Sequence, residues 1–202
     1  MDTPLRLILA TRNPGKVDEI RALLSDLPVT LHPATDLNDT LDVTEDADTL
    51  AGNAQKKAEA YHRHTGDPAL ADDTGLEVDA LDGRPGVETA RFAGPNAGPN
   101  DNMRALLEGM KHEHDRHARF RTVVCYVDRD GTSHTFEGVC DGSITRIPRG
   151  EGGFGYDPLF LPDGHSETFA EMTPNAKNAI SHRKNALERF RTYLQSVLDA
   201  AG

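Results

Sequence analysis

Residues 5–27, LRLILATRNPGKVDEIRALLSDL, read as strand, polar loop and helix in that order. Leu5 to Ala10 is a short apolar run closed at once by polar residues, the pattern of a buried strand. Thr11 to Lys16 carries Pro14-Gly15 and interrupts the run. Val17, Ile20, Leu24 and Leu27 then recur at helical spacing. A strand that feeds a helix through a tight loop is the opening of an α/β fold.

The rest of the chain continues the mixture. Val29 to His32 reads as a second strand and Asn38 to Asp48 as an acidic loop. Leu50, Ala54, Ala58 and Tyr61 share one helical face, which predicts a helix over 46–64 that Gly66-Asp67-Pro68 ends. Ala69 to Ala71 is a brief strand running into Asp72-Asp73-Thr74-Gly75, after which Leu76, Val78 and Ala80 alternate as in a half-buried strand. Residues 82–99 are rich in Gly and Pro and predict an ordered loop, with Asn100 capping a helix that carries Met103, Leu106, Leu107 and Met110. A charged connection, Lys111 to Arg119, leads to a hairpin of Phe120–Val127 and His134–Ile144 around Asp128 to Gly131. A second glycine-rich stretch spans 147–156, and Pro158 to Leu161 reads as a strand. Thr173-Pro174 starts one final helix, with Ile180, Leu187, Phe190, Leu194 and Val197 on its buried side. No repeat or linker interrupts residues 1–202, so one α/β domain is expected, its sheet made mixed by the hairpin.

The 202 residues suffice for a sizeable core, and 37% hydrophobic with 27% charged residues is an ordinary globular balance. A net charge of −11 disfavours non-specific binding to nucleic acid or an anionic membrane, while a small phosphorylated ligand needs only a local cation. No stretch is apolar for long enough to be a signal h-region or a span, so a cytoplasmic location is expected. Antiparallel counting from the hairpin turn puts Cys125 opposite residue 136, not opposite Cys140; both cysteines read as buried free thiols.

Four constellations bear on chemistry. Thr11-Arg12-Asn13-Pro14-Gly15-Lys16, between strand and helix, is suited to an anion; equally, Asn13 caps the helix and Lys16 is solvated. It is not a Walker A loop, which needs Gly in place of Ala10 and Ser or Thr in place of Val17. Asp72-Asp73 sits where two carboxylates are costly without a cation; Mg²⁺ would satisfy them, with Glu45 as a partner, and an acidic turn is the plain alternative. In Gly152-Gly153-Phe154-Gly155-Tyr156-Asp157 the glycines admit close backbone approach and Phe154 offers a face to a base, or the stretch is a tight turn on a buried Phe. Lys177 with Ser181-His182-Arg183 supplies donors for a carbonyl or phosphate, or is a solvated basic stretch. His112, His114 and His117 lie in a charged connection without a cysteine and read as solvated, not as a zinc site.

Taken in order, Thr11 to Lys16, Glu45 with Asn53-Ala54 and Ala58, LADDTGLEVDAL at 70–81, GVETARFAG at 86–94, GFGYDPLF at 153–160 and NAISHR at 178–183 resemble the Ham1-like family of inosine/xanthosine triphosphate pyrophosphatases. The resemblance spans nearly the whole chain. It implies an elongated two-lobed α/β fold around a long mixed sheet with flanking helices, an active cleft between the lobes, and a homodimer. It implies Mg²⁺-dependent hydrolysis of ITP, dITP and XTP to the monophosphate and pyrophosphate. By position, Thr11, Arg12, Asn13, Pro14, Gly15 and Lys16 match the triphosphate cradle, Glu45 and Asp73 the metal ligands, and Asp73 also the proton acceptor. Thr74 stands where relatives often have a serine touching substrate. Phe154, Gly155, Tyr156 and Asp157 match the base-side loop, and Lys177, His182 and Arg183 the remaining substrate contacts. Two departures stand out. Gly52 replaces a common glutamate, and Lys111 to Arg119 has the look of a local insertion. The alternatives are a Maf-like pyrophosphatase of modified pyrimidine nucleotides and a non-catalytic nucleotide-binding module.

Overall fold

The computed structural model describes residues 4–37 and 41–201. Chain order is β1 (Leu5–Leu9), α1 (Pro14–Leu23), β2 (Val29–Pro33), α2 (Leu50–Thr65), β3 (Ala69–Val78), β4 (Pro85–Gly86), α3 (Pro99–Gly109), β5 (His117–Val127), β6 (Ser133–Ile144), β7 (Phe160–Pro162), α4 (Pro174–Ile180) and α5 (His182–Ala201). The seven strands form one mixed sheet in the order β2-β1-β3-β5-β6-β7, with β4 on β3. β1 pairs in parallel with β2 and β3; β3–β4 and β6–β7 are antiparallel. The expected mixed α/β class is what is found.

The chain divides into two compact units. The first comprises 1–73, 123–137 and 185–202; the second comprises 74–122 and 138–184. In the first unit the sheet is covered on both faces, so β1 is apolar throughout and not alternating. Leu7 and Leu9 pack with Val17, Ile20, Leu24 and Leu27, and with Leu187, Phe190 and Leu194 of α5. Ile8 and Ala10 pack with Ala54, Ala58 and Tyr61 of α2. Leu7, Ile8 and Leu9 are wholly buried, and each contributes about 2 kcal/mol by leaving water. The second unit has its own core, centred on Phe120, Phe160 and Phe169. Their ring centroids lie 4.8–5.9 Å apart.

Several expected boundaries move, for local reasons. The helix expected from 46 starts at Leu50, because Thr49 caps it by accepting from the Gly52 N–H. It ends as expected at Gly66, in the left-handed conformation. The strands expected at 69–71 and 76–80 are one continuous strand, β3, so the alternative of an acidic turn at 72–75 does not hold; the strand ends at Val78 and not at Ala80. Asn100 is not the cap of α3: Gly98 is, its N–H taken by the Asp101 carboxylate. β5 begins at His117, inside the expected charged connection, and β7 is shifted to 160–162. Arg116 closes that connection by donating to the carbonyls of Met110, Ile144 and Thr145. The single final helix is two. Ser181 is extended and ends α4, and its hydroxyl accepts from the Lys184 N–H at the start of α5. Val197 is exposed, not buried. Of the expected acidic loop 38–48, residues 38–40 lie outside the described residues. Both cysteines are free and buried, and burial pushes the Cys125 thiol up to about 12 and Cys140 up to about 11. Among the described residues no helix is long and apolar enough to cross a membrane.

Candidate active site

In the first unit, α1 starts where the sequence put its loop. Asn13 is the N-cap, its Oδ1 accepting from Gly15 N–H at 2.9 Å and Lys16 N–H at 3.4 Å, with Pro14 in the first turn. Thr11 Oγ1 accepts from the Asn13 N–H at 3.2 Å, and Arg12 donates to the Leu41 carbonyl at 3.0 Å. The capping alternative for Asn13 therefore holds, but a solvated Lys16 does not. Lys16 Nζ donates to both oxygens of Asp72, at 2.8 and 2.7 Å. The two side chains are only 21% and 9% exposed.

Successive strand residues face opposite ways, and β3 uses this. Leu70 belongs to the core beneath α1 and α5, Ala69 and Ala71 to the core beneath α2. Asp72 continues the first series and meets Lys16; Asp73 continues the second and meets Asn53. Two consecutive carboxylates fit in a strand because each has its own partner on its own face.

Asn53 is 1% exposed and does two things at once. Its Oδ1 accepts from the Ala47 N–H at 2.9 Å, and its Nδ2 donates to Asp73 Oδ2 at 3.1 Å. It thereby ties the acidic segment to β3. In that segment Leu41, Val43, Glu45 and Ala47 are half-buried while the residues between them are exposed, so Glu45 is turned inward. Lys57 Nζ meets Glu45 at 2.6 Å. Asn53 and Lys57 are four apart on α2 and so share a face. Gly52 matters for fit: a Cβ there would lie 2.9 Å from the Ala47 Cβ and 3.1 Å from Thr49 Oγ1. With glycine at 52, the acidic segment lies close against the start of α2.

In the second unit, Thr74 Oγ1 lies 2.7 Å from Thr122 Oγ1, which lies 2.7 Å from His182 Nδ1. His182 is buried and stacks on Phe120, centroids 4.9 Å apart and planes at 25°. The break at Ser181 puts His182 and Arg183 at the very start of α5. The glycine-rich stretch is a loop fastened at both sides. Gly152 N–H donates to the Ala170 carbonyl at 3.0 Å. Asp157 is 3% exposed; its Oδ2 accepts from Phe154 N–H at 2.8 Å and from Lys177 Nζ at 2.5 Å. Gly153 has φ of 70°, and a Cβ there would fall 2.1 Å from Asp157 Oδ2. The alternative of a turn on a buried Phe does not hold: Phe154 is 64% exposed, with Lys177 Nζ 4.8 Å from its ring centroid. Tyr156 is the buried aromatic, its hydroxyl donating to the Thr89 carbonyl at 3.1 Å. Asp157 and Tyr156 thus shape the loop from below, while Phe154 stands out of it.

Lys16, Glu45, Asp72 and Asp73 thus belong to the first unit, and Thr74, Phe154, Asp157, Lys177, His182 and Arg183 to the second. Asp73 and Thr74 are consecutive. Asn53, Lys57 and Thr122 are polar partners to which the sequence reading gave no role, Asn53 being quoted there only as part of the family pattern. The first and last carry a sequence signal: each is a polar residue in the apolar phase of its element, beside Leu50 and Ala54 in α2 and between Phe120 and Val124 in β5. Of the histidine-rich connection, His117 is paired with Asp79 at 2.9 Å. Among the described residues no three His, Cys, Asp or Glu side chains gather as a metal cluster.

The Ham1 family model matches residues 7–193. A dITP/XTP pyrophosphatase of Porphyromonas gingivalis is 48% identical over 94% of this chain and 97% of its own length. A protein of the same name from Desulforamulus reducens is 47% identical, covering 96% and 97%. The solved HAM1 protein of Coxiella burnetii superposes with a TM-score of 0.91 at 40% identity, covering 95% of this chain and 99% of that one. A family model matched across both units, on a chain whose motif residues fall where their partners are, leaves one conclusion: the chain belongs to the Ham1 family.

Proposed function

We propose that the chain hydrolyses non-standard purine nucleoside triphosphates, ITP, dITP and XTP, to the monophosphate and pyrophosphate. The observation that carries this reading is the run Asp72-Asp73-Thr74. Its three side chains face, in turn, a cation from α1, an amide that orders an acidic segment, and a hydroxyl leading to His182. Family membership sets aside the Maf-like alternative. Residues 1–202 act as one catalytic domain, a reading supported by the family model running through both units.

The phosphates are assigned to Thr11 to Lys16. Lys16 brings the charge, held in place by Asp72, and the first turn of α1 adds its dipole. Arg12 and Thr11 add donors. Glu45 and Asp73 are the assigned ligands of Mg²⁺. They fit it: both are hard oxygen donors, and the ion commonly takes one or two carboxylates and fills its other positions with water and phosphate oxygens. When bound, the ion withdraws charge from the phosphorus under attack. Lys57 pairs with Glu45. Asp73 orients the attacking water and takes its proton at a carboxylate oxygen, while Asn53 holds that carboxylate in one orientation. On the base side Phe154 offers an exposed face for stacking, its loop set by Gly155, Tyr156, Asp157 and Lys177. His182 and Arg183 present donors to the 6-oxo group of hypoxanthine or xanthine, which adenine lacks. A cytoplasmic homodimer is the expected state, inferred from the buried free thiols for the first and from the family resemblance for the second.

The test is pyrophosphate release from inosine, xanthosine, guanosine and adenosine triphosphates, with Mg²⁺ and with chelator. Fast metal-dependent release from the first two and little from the others is expected. Release from none would leave a non-catalytic binding protein. Asn53→Ala checks the metal side: freeing the acidic segment should raise the Mg²⁺ concentration for half-maximal rate roughly 10–100-fold. An unchanged Mg²⁺ requirement would remove Asn53 from the site.

A further inference from the structure

We propose that Thr122 is a positioning residue that fixes the tautomer of His182, placing the ring proton on Nε2, and so sets the preference for a 6-oxo over a 6-amino purine. The inference rests on the reading of His182 as a base-side contact.

Thr122 is wholly buried in β5, in phase with Ala118, Phe120 and Val124. A polar residue there is costly unless its hydroxyl is used, and it is used twice, towards Thr74 Oγ1 and His182 Nδ1, both at 2.7 Å. A hydroxyl has one proton, so the chain of three can run in two directions. In the first, Thr74 donates to Thr122 and Thr122 donates to Nδ1; the neutral ring then carries its proton on Nε2. In the second, Nδ1–H donates to Thr122 and Thr122 donates to Thr74; the neutral ring then has a bare Nε2.

Base chemistry chooses between them. A 6-oxo purine offers acceptors at O6 and N7, whereas adenine has a donor at its 6-position. A ring nitrogen bearing hydrogen matches the first and leaves the second without a partner for its amino group. Only the first direction supplies that hydrogen from a neutral imidazole. The stack on Phe120 keeps the ring plane fixed. There is a corollary for Thr74. Its own proton is committed to Thr122, so towards any further partner it is an acceptor. The residue after Asp73 and the base-reading ring are thus ordered by one buried hydroxyl, 48 residues from the first and 60 from the second.

The experiment is a long-range ¹H–¹⁵N correlation spectrum of the imidazoles in the ligand-free full chain at neutral pH, with His182 assigned by its absence in His182→Gln. It is paired with kcat/KM for inosine and adenosine triphosphates in Thr122→Val and Thr122→Ser. The wild type should show His182 as the Nε2–H tautomer. Thr122→Val, equal in shape but lacking the hydroxyl, should populate both tautomers and lose roughly 30-fold of the inosine-over-adenosine ratio. Thr122→Ser should restore tautomer and ratio together. An Nδ1–H ring in the wild type overturns the proposal, as does a valine variant that keeps tautomer and ratio, or a serine variant that restores neither. Should the valine variant not fold, the wild-type spectrum and the serine variant still decide. The spectrum needs no turnover, so a chain that hydrolyses none of the four triphosphates would sink the functional reading without touching the tautomer result.

Discussion

Asp73→Asn should lower turnover of inosine triphosphate roughly 10³-fold while leaving the melting temperature almost where it was. Both halves follow from the local contacts. The amide is the same size as the carboxylate and keeps an oxygen able to accept from Asn53 Nδ2, the 3.1 Å bond that orders the neighbourhood. What it loses is negative charge, and with it both the affinity for a divalent ion and the capacity to take a proton from water. The pair of measurements is a steady-state assay in saturating Mg²⁺ and a thermal melt of the same sample. Residual turnover above about a tenth of wild type would move the proton acceptor elsewhere. A large fall in melting temperature would make Asp73 a structural residue first.

The second large effect belongs to Lys16→Met. Here stability and activity should fall together. Asp72 would keep its nearly buried position and lose its bidentate cation, and breaking such a pair costs about 2–3 kcal/mol when one partner retains some solvent. For a chain of this length that is a drop of roughly 5–10 °C in melting temperature. Loss of a positive charge aimed at phosphate should lower kcat/KM roughly 10²-fold. The double variant Lys16→Met, Asp72→Asn separates the two effects. With the buried charge gone, most of the stability should return, and the activity should not. If turnover also returns, Lys16 serves only to neutralise Asp72, and the charge on the phosphates must come from elsewhere.

Much of this was legible in the residues alone. β1 and α1 declare themselves because strand, Pro-Gly loop and helical period occur within 23 residues and depend on nothing distant. The fastened glycine loop and the αL stop at Gly66 are equally local. The misreadings share a cause. Ala71-Asp72-Asp73-Thr74-Gly75 has the composition of a turn, and what keeps it a strand is Lys16, 56 residues away. The helix break at Ser181 has no Gly or Pro to announce it; the cap onto Lys184 N–H makes it. Between a Phe154 open to a base and a Phe154 buried in a turn the residues alone do not choose; the loop buries Tyr156, its hydroxyl on the Thr89 carbonyl, and leaves Phe154 exposed. Asn53 and Thr122 wear their signal openly, as polar residues in apolar phase, but what each reaches is a matter of tertiary neighbours.

The placement of Asp72 and Asp73 on opposite faces of β3 has a consequence for how this sequence can change over time. The alignment of β3 against β1 runs Ile8 to Ala69 and Leu9 to Leu70. A slip of one position would send every side chain to the other face, exchanging the carboxylate beneath α1 for the one beside Asn53. The apolar neighbours could be repacked by later substitutions; the two acidic roles could not be traded without moving Lys16 and Asn53 as well. Single-residue insertions or deletions between Ala69 and Thr74 should therefore be absent from functional variants, even in libraries where point changes at Ala69 and Ala71 survive.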